Sequence, residues 1–361
     1  MVQEPSFQKN NLDCLRVLLA LTVVFFHIGV LAQTAAYHPL AIYARGAIAV
    51  KAFFVISGML IYRSYATSSS LTSYCKKRAR RIYPAYAVVV GLVPFILLPL
   101  STLPASLYFR SGFWKYLCAN LVFLNHAAPS LPGVFTVNPT PGVNGALWTL
   151  KVEVLFYLIV PGISYLCGRL GTKPVLGAIA VFSLAWKYWF VYLGHLHGSP
   201  GMYADIEKQL PGQLIYFVAG ILLYLYFEWL ARHYLAILCV SLCLLVVDSF
   251  FCRGMLDVLW ISGMVFLFGF WRYLGNFSKY GDLSYGIYIV HYPIVQALIS
   301  LGLAKQSPAV FVLLVLTSVG IAAFLLWHVV EKRFLTRSSH YREESTNLGR
   351  GAVAYVLGEP G

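Results

Sequence analysis

The chain has 361 residues, 59% of them hydrophobic and only 11% charged, with a formal net charge of +14. Soluble domains carry about 25% charged residues, so this composition excludes an ordinary soluble enzyme and points to an integral membrane protein. The charge does not argue for nucleic acid, because an excess of Lys and Arg in such a chain follows first from the positive-inside rule.

Apolar runs long enough to cross a hydrocarbon core as helix predict ten spans, at residues 12–31, 42–62, 82–100, 147–167, 174–193, 211–230, 234–251, 256–272, 283–302 and 308–328. The first run lacks the short apolar core and small-residue cleavage site of a signal peptide, so it counts as a helix of the fold. The prediction is an all-α, polytopic bundle of about ten transmembrane helices. Charge sets its orientation: with the N-terminus inside, inner segments collect Lys76, Lys77, Arg78, Arg80, Arg81, Lys332 and Arg333 among others. Outer segments hold only Arg110, Lys115, Lys208, Arg253 and Lys305. Both termini are therefore expected in the cytoplasm, with residues 1–335 as the membrane domain and 336–361 as a polar cytoplasmic tail. The long segment 101–146 then lies outside, and FWKYLCANLVFLN within it, apolar but short, reads as re-entrant or interfacial. Seven cysteines show no CxxC pair and outline neither a metal site nor a disulfide framework.

The first span, LDCLRVLLALTVVFFH, carries Arg16 near its start and His27 deep inside. Eleven positions at 100° each return to within about 20° of one face, about 16 Å further along the axis. Either residue alone has a plain reading, a snorkelling arginine or a hydrogen-bonded core histidine. Ionisable groups inside a membrane are costly and by default mark function, and two on one face favour a site. Span two, AVKAFFVISGMLIYR, adds the buried cation Lys51, and Ser57 and Gly58 that permit close helix approach. Next comes YCKKRARRIYP, whose Arg78 and Arg81 are neighbours on a helix face, either a solvated positive-inside cluster or a fork for phosphate oxygens. Span four opens with Trp148 and places Glu153 just inside the outer face, where a carboxylate needs a partner such as Lys151. In span nine Ser284, Tyr288 and His291 share one face, with Pro293 just beyond. Glu331, near the end of span ten, is placed to tether the basic patch.

These pieces, in this order, resemble the acyltransferase-3 family of membrane acyltransferases. They are the Arg-to-His spacing of the first helix, FFVISGML, RARRIYP, WTLKVE, SYGIYIVHYP and EKRF. The resemblance covers about residues 10–335 and departs only by apolar swaps at Met59 and Ile289. It implies transfer of an acyl group, usually acetyl, from cytosolic acyl-CoA to a hydroxyl of an extracytoplasmic saccharide, glycolipid or lipid-linked acceptor, with no metal. His27 would act as base with Arg16 beside the donor. Arg16, Arg78 and Arg81 would bind the donor's phosphates, and Ser57, Tyr288 and His291 would line its arm or the oxyanion. Trp148, Glu153 and Lys51 would face the acceptor. The implied location is a bacterial inner membrane, in contact with its lipid and with no nucleic-acid partner. The alternative, a proton-coupled secondary transporter of a small anionic or sugar substrate, predicts inverted repeats, and none stands out.

Overall fold

The structure is a computed structural model that describes residues 7, 9–252, 254–275, 277 and 281–335. The expected tail 336–361, Arg253 and Lys279 lie outside the described residues. No strand occurs among the described residues, and each of the ten expected runs returns as a helix. They are α1 (Leu12–Ala32), α2 (Gly46–Ala66), α3 (Leu71–Leu97), α4 (Trp148–Leu170), α5 (Thr172–Leu196), α6 (Leu210–Leu225), α7 (Tyr234–Val247), α8 (Asp257–Phe270), α9 (Leu283–Ser300) and α10 (Pro308–Leu326).

Eight of these, some extended by adjoining turns, are long and apolar enough to cross a membrane, whereas α6 and α8 are apolar but shorter. At 16 and 14 residues they reach about 24 and 21 Å, short of a core of about 30 Å. Eleven of the 16 residues of α6 and ten of the 14 of α8 are buried in the protein, so much of their surface does not meet lipid. In contrast α7 buries only Ser241. An apolar helix left uncovered on almost every side suits hydrocarbon as its solvent.

The described residues fall into two compact units, one drawn from those up to Leu15 with Ala47–Tyr74 and Thr149–Leu274, the other from Arg16–Gly46, Cys75–Trp148 and the described residues from Gly275 on. In the first, α2 and α6 touch through glycine. A Cβ on Gly58 would strike the carbonyl of Phe217, and one on Gly220 the carbonyl of Val55. The glycine of FFVISGML is thereby explained by close packing. Phe156 of α4 stacks on Phe217, centroids 4.1 Å apart, with Phe54 edge-on at 5.4 Å. The same unit buries a polar knot: Asp257 accepts from Lys51 at 2.6 Å and from the Tyr216 hydroxyl at 2.8 Å, and Lys187 lies 3.5 Å away. Burying these charges is tolerable because they are paired.

In the second unit α9 and α10 meet closely at Gly286, where a Cβ would press on Ala323 at 3.1 Å. The Tyr285 hydroxyl donates to the Ile82 carbonyl of α3 at 2.9 Å. The connection between α3 and α4 is ordered around its own core, which includes Tyr108, Phe113, Tyr116, Val134 and Phe135. Its helix Trp114–Leu121 is eight residues long, about 12 Å, so the segment read as interfacial does not cross. Helix α9 runs on through Pro293. Proline has no N–H to give the carbonyl four residues earlier, and Asn144 Nδ2 donates to that Ile289 carbonyl instead, at 2.9 Å. Gln296, fully buried, donates to the Thr140 and Gly142 carbonyls at 2.7 and 2.8 Å. Residues 138–146 are thus sewn onto α9.

Candidate active site along two helices

Helix α9 begins with a cap. Asp282 accepts the backbone N–H of Ser284 at 3.2 Å, satisfying one of the donors that a helix start leaves open, and its hydroxyl as well. The other carboxylate oxygen receives Arg16 Nη1 at 2.5 Å and Arg81 Nη2. Arg81 also reaches Glu331, Nη1 to Oε2, at 3.5 Å. Two cations from α1 and α3 therefore converge on a carboxylate whose side chain is 1% exposed. Burial alone would push the Asp282 carboxyl up, but Arg16 and then Arg81 outweigh it and hold it well below the usual carboxylate range. Arg78, one turn before Arg81 on α3, is half-buried on the same side, whereas Arg80 is exposed.

Further along, His27 Nδ1 lies 2.9 Å from His291 Nε2, with ring centroids 5.0 Å apart. Passing from Arg16 to His27 on α1 follows α9 from Asp282 to His291, so the two helices run in the same direction. Their seam carries ion pairs at one level and imidazoles at another. His291 is fully buried and His27 half-buried. Tyr292 sets its ring edge-on to His27 at 5.1 Å. Gly145 lies so close to Tyr292 that a Cβ there would fall 2.8 Å from the phenol ring. The connecting segment thus fixes the wall beside His27. Near neutral pH a neutral imidazole in this setting can accept a proton.

The structure therefore brings together Arg16, His27, Arg81 and His291, with Tyr288 supplying a carbonyl to His291 at 2.7 Å. Glu331 reaches the basic patch as its position suggests. Trp148, half-buried, opens α4 in the same unit. Lys51, Ser57 and Glu153 belong to the other unit. There Lys51 is held by Asp257, Ser57 is half-buried beside the packing glycine, and Glu153 accepts from the Tyr157 hydroxyl at 2.7 Å. Lys151, suggested as the partner of Glu153, instead donates to Gln209 at 2.5 Å. Sequence reasoning passed over Asp282. The signal was present: an aspartate just before Leu-Ser at a helix start is a cap, and its position opposite Arg16 required the fold.

An all-helical integral membrane protein carrying these side chains on a shared helical seam fits the class of membrane acyltransferases. Sequence comparison makes that specific: residues 9–327 match the acyltransferase-3 family, described as an acyltransferase domain, and the chain belongs to it. It is 28% identical over 330 residues to nodulation protein 10 of Rhizobium leguminosarum bv. viciae, covering 83% of this chain and 86% of that protein. It is 27% identical over 344 residues to an O-acetyl transferase of Shigella phage Sf6, covering 92% and 98%. A shorter stretch of 118 residues is 30% identical to acyltransferase MdmB of Streptomyces mycarofaciens, covering 32% of this chain and 28% of that protein. No solved structure matches.

Proposed function

We propose that this acyltransferase moves an acyl group, acetyl by the weight of its relatives, from cytosolic acyl-CoA to a hydroxyl of a saccharide or glycolipid at the extracytoplasmic face of a bacterial inner membrane. The carrying observation is the half-buried His27, held against α9 on the same helix face as Arg16. In the reaction His27 takes the proton of the acceptor hydroxyl as its oxygen forms the new bond to the acyl carbon. The carbon–sulfur bond of the thioester breaks, and the departing thiolate receives the proton back from His27. Arg16, Arg78 and Arg81 meet the donor's phosphates, which suit forked guanidinium donors, and Asp282 keeps Arg16 and Arg81 in place for that task. Trp148 and the segment around 138–146 serve the acceptor. Family membership favours group transfer over the transport alternative.

The test supplies acetyl-CoA labelled in the acetyl group to the purified protein in lipid, with and without lipid-linked bacterial oligosaccharides. Label is expected in an alkali-labile ester on the saccharide. Intact acetyl-CoA under all of these conditions, from a folded preparation, would count against the donor assignment.

A further inference from the structure

The proton on each imidazole of the seam can be placed from its neighbours. A carbonyl oxygen only accepts, so His291 Nδ1, which faces the carbonyls of Tyr288 at 2.7 Å and Ile287 at 3.3 Å, carries a hydrogen. In a neutral ring this leaves a lone pair on Nε2. His27 Nδ1 lies 2.9 Å from that nitrogen. Two lone pairs would repel at this separation, so the His27 nitrogen holds the hydrogen and donates it. The bare nitrogen of His27 is then Nε2.

We infer that His291 is a positioning residue, pinned through its own N–H to the α9 backbone and holding His27 in the tautomer whose Nε2 is free to act as base. This rests on His27 being the base of the proposed transfer. The exposures fit the division of labour: the ring that must meet substrate is half-buried, and the ring that orients it is sealed off. Enzymes that use an imidazole base commonly orient it through a third group on its far nitrogen. Here the orienting acceptor is a neutral ring in place of a carboxylate. When His27 Nε2 takes the acceptor's proton, its Nδ1–H remains bonded to His291. The proton then leaves from Nε2 to the thiolate, and His291 neither gains nor loses one.

The experiment uses the full chain in lipid, with His27→Ala, His291→Phe and His291→Gln compared for acetyl-CoA turnover. Phenylalanine keeps the bulk and loses the acceptor, whereas the glutamine carbonyl oxygen reaches about as far as Nε2. In a well-studied serine hydrolase triad the wrong tautomer costs on the order of 10⁴ in kcat. A neutral orienting group should matter less, so His291→Phe is expected to lower kcat by about 100-fold while leaving KM for acetyl-CoA within about twofold. His291→Gln should recover a substantial part of that loss. Nitrogen NMR of ¹⁵N-histidine-labelled protein should find His27 unprotonated at Nε2 in the native chain and protonated there in His291→Phe. A native spectrum with the His27 proton on Nε2 overturns the inference, whether or not any variant folds. Full kcat in His291→Phe beside an inactive His27→Ala also overturns it and leaves the base role standing. Activity in His27→Ala would instead remove the base role itself.

Discussion

Asp282 carries more of the seam's electrostatics than any residue the motifs mark. It caps α9 through one oxygen and receives Arg16 and Arg81 on the other. Replacing it with asparagine keeps the cap's shape and removes the charge that balances two guanidiniums. Breaking a buried pair by removing one partner typically costs about 3–5 kcal/mol. Asp282→Asn is therefore expected to lose on the order of 3 kcal/mol, the arginines being partly exposed. Thermal unfolding in detergent measures this. The contrast is Lys208, paired with an Asp205 side chain that is 78% exposed. Lys208→Ala should leave stability within about 0.5 kcal/mol, and equal losses in the two variants would show that the Asp282 cluster has no special weight. Arg78 and Arg81 were legible as neighbours on one helix face, because i, i+3 spacing is local. The carboxylate that receives Arg81 was not, since it lies 201 residues further on and only the packing of α3 against α9 brings it near.

At the scale of elements, Pro293 shows how a helix in a membrane protein tolerates a broken hydrogen bond. Ile289 loses its helical donor and gains the Asn144 amide. Asn144→Ala should cost about 1–3 kcal/mol, the penalty for an unsatisfied buried group. In a Pro293→Ala background the helix supplies its own N–H, and the same change should cost clearly less. A double-mutant cycle measures the difference, and strict additivity would mean that Asn144 does not serve this carbonyl. Helix positions themselves were readable because hydrocarbon demands length and apolarity, which hydropathy reports directly. The shortness of α6 and α8 was not, because a run such as 211–230 is interrupted only by Gln213 and Glu228. Helix α6 stops at Leu225, with a break at Tyr226 before the short turn Phe227–Leu230. The role of Gly58 needed the fold too, since Ser-Gly in an apolar helix fits packing and catalysis alike.

For the molecule as a whole, the polar side chains form separate centres inside an otherwise apolar chain. One unit holds the Lys51–Asp257–Tyr216 knot, in which the ammonium and the hydroxyl share one carboxylate. The other holds the α1–α9 seam, where Arg16 pairs with Asp282 and two imidazoles meet, and Arg81 of α3 joins the same carboxylate. The spacing of Arg16 and His27 announced that seam, but the sequence could not say that α9 is the helix packed against it. The proposed transfer depends on His27 as the group that takes the acceptor's proton. Its most direct measurement is single-turnover transfer from acetyl-CoA to lipid-linked bacterial oligosaccharide by the reconstituted native protein and by His27→Ala, with protein in saturating excess over donor. Loss of general base catalysis should slow the step by about 10²–10⁴-fold with donor binding retained. An unchanged single-turnover rate in His27→Ala would contradict the account.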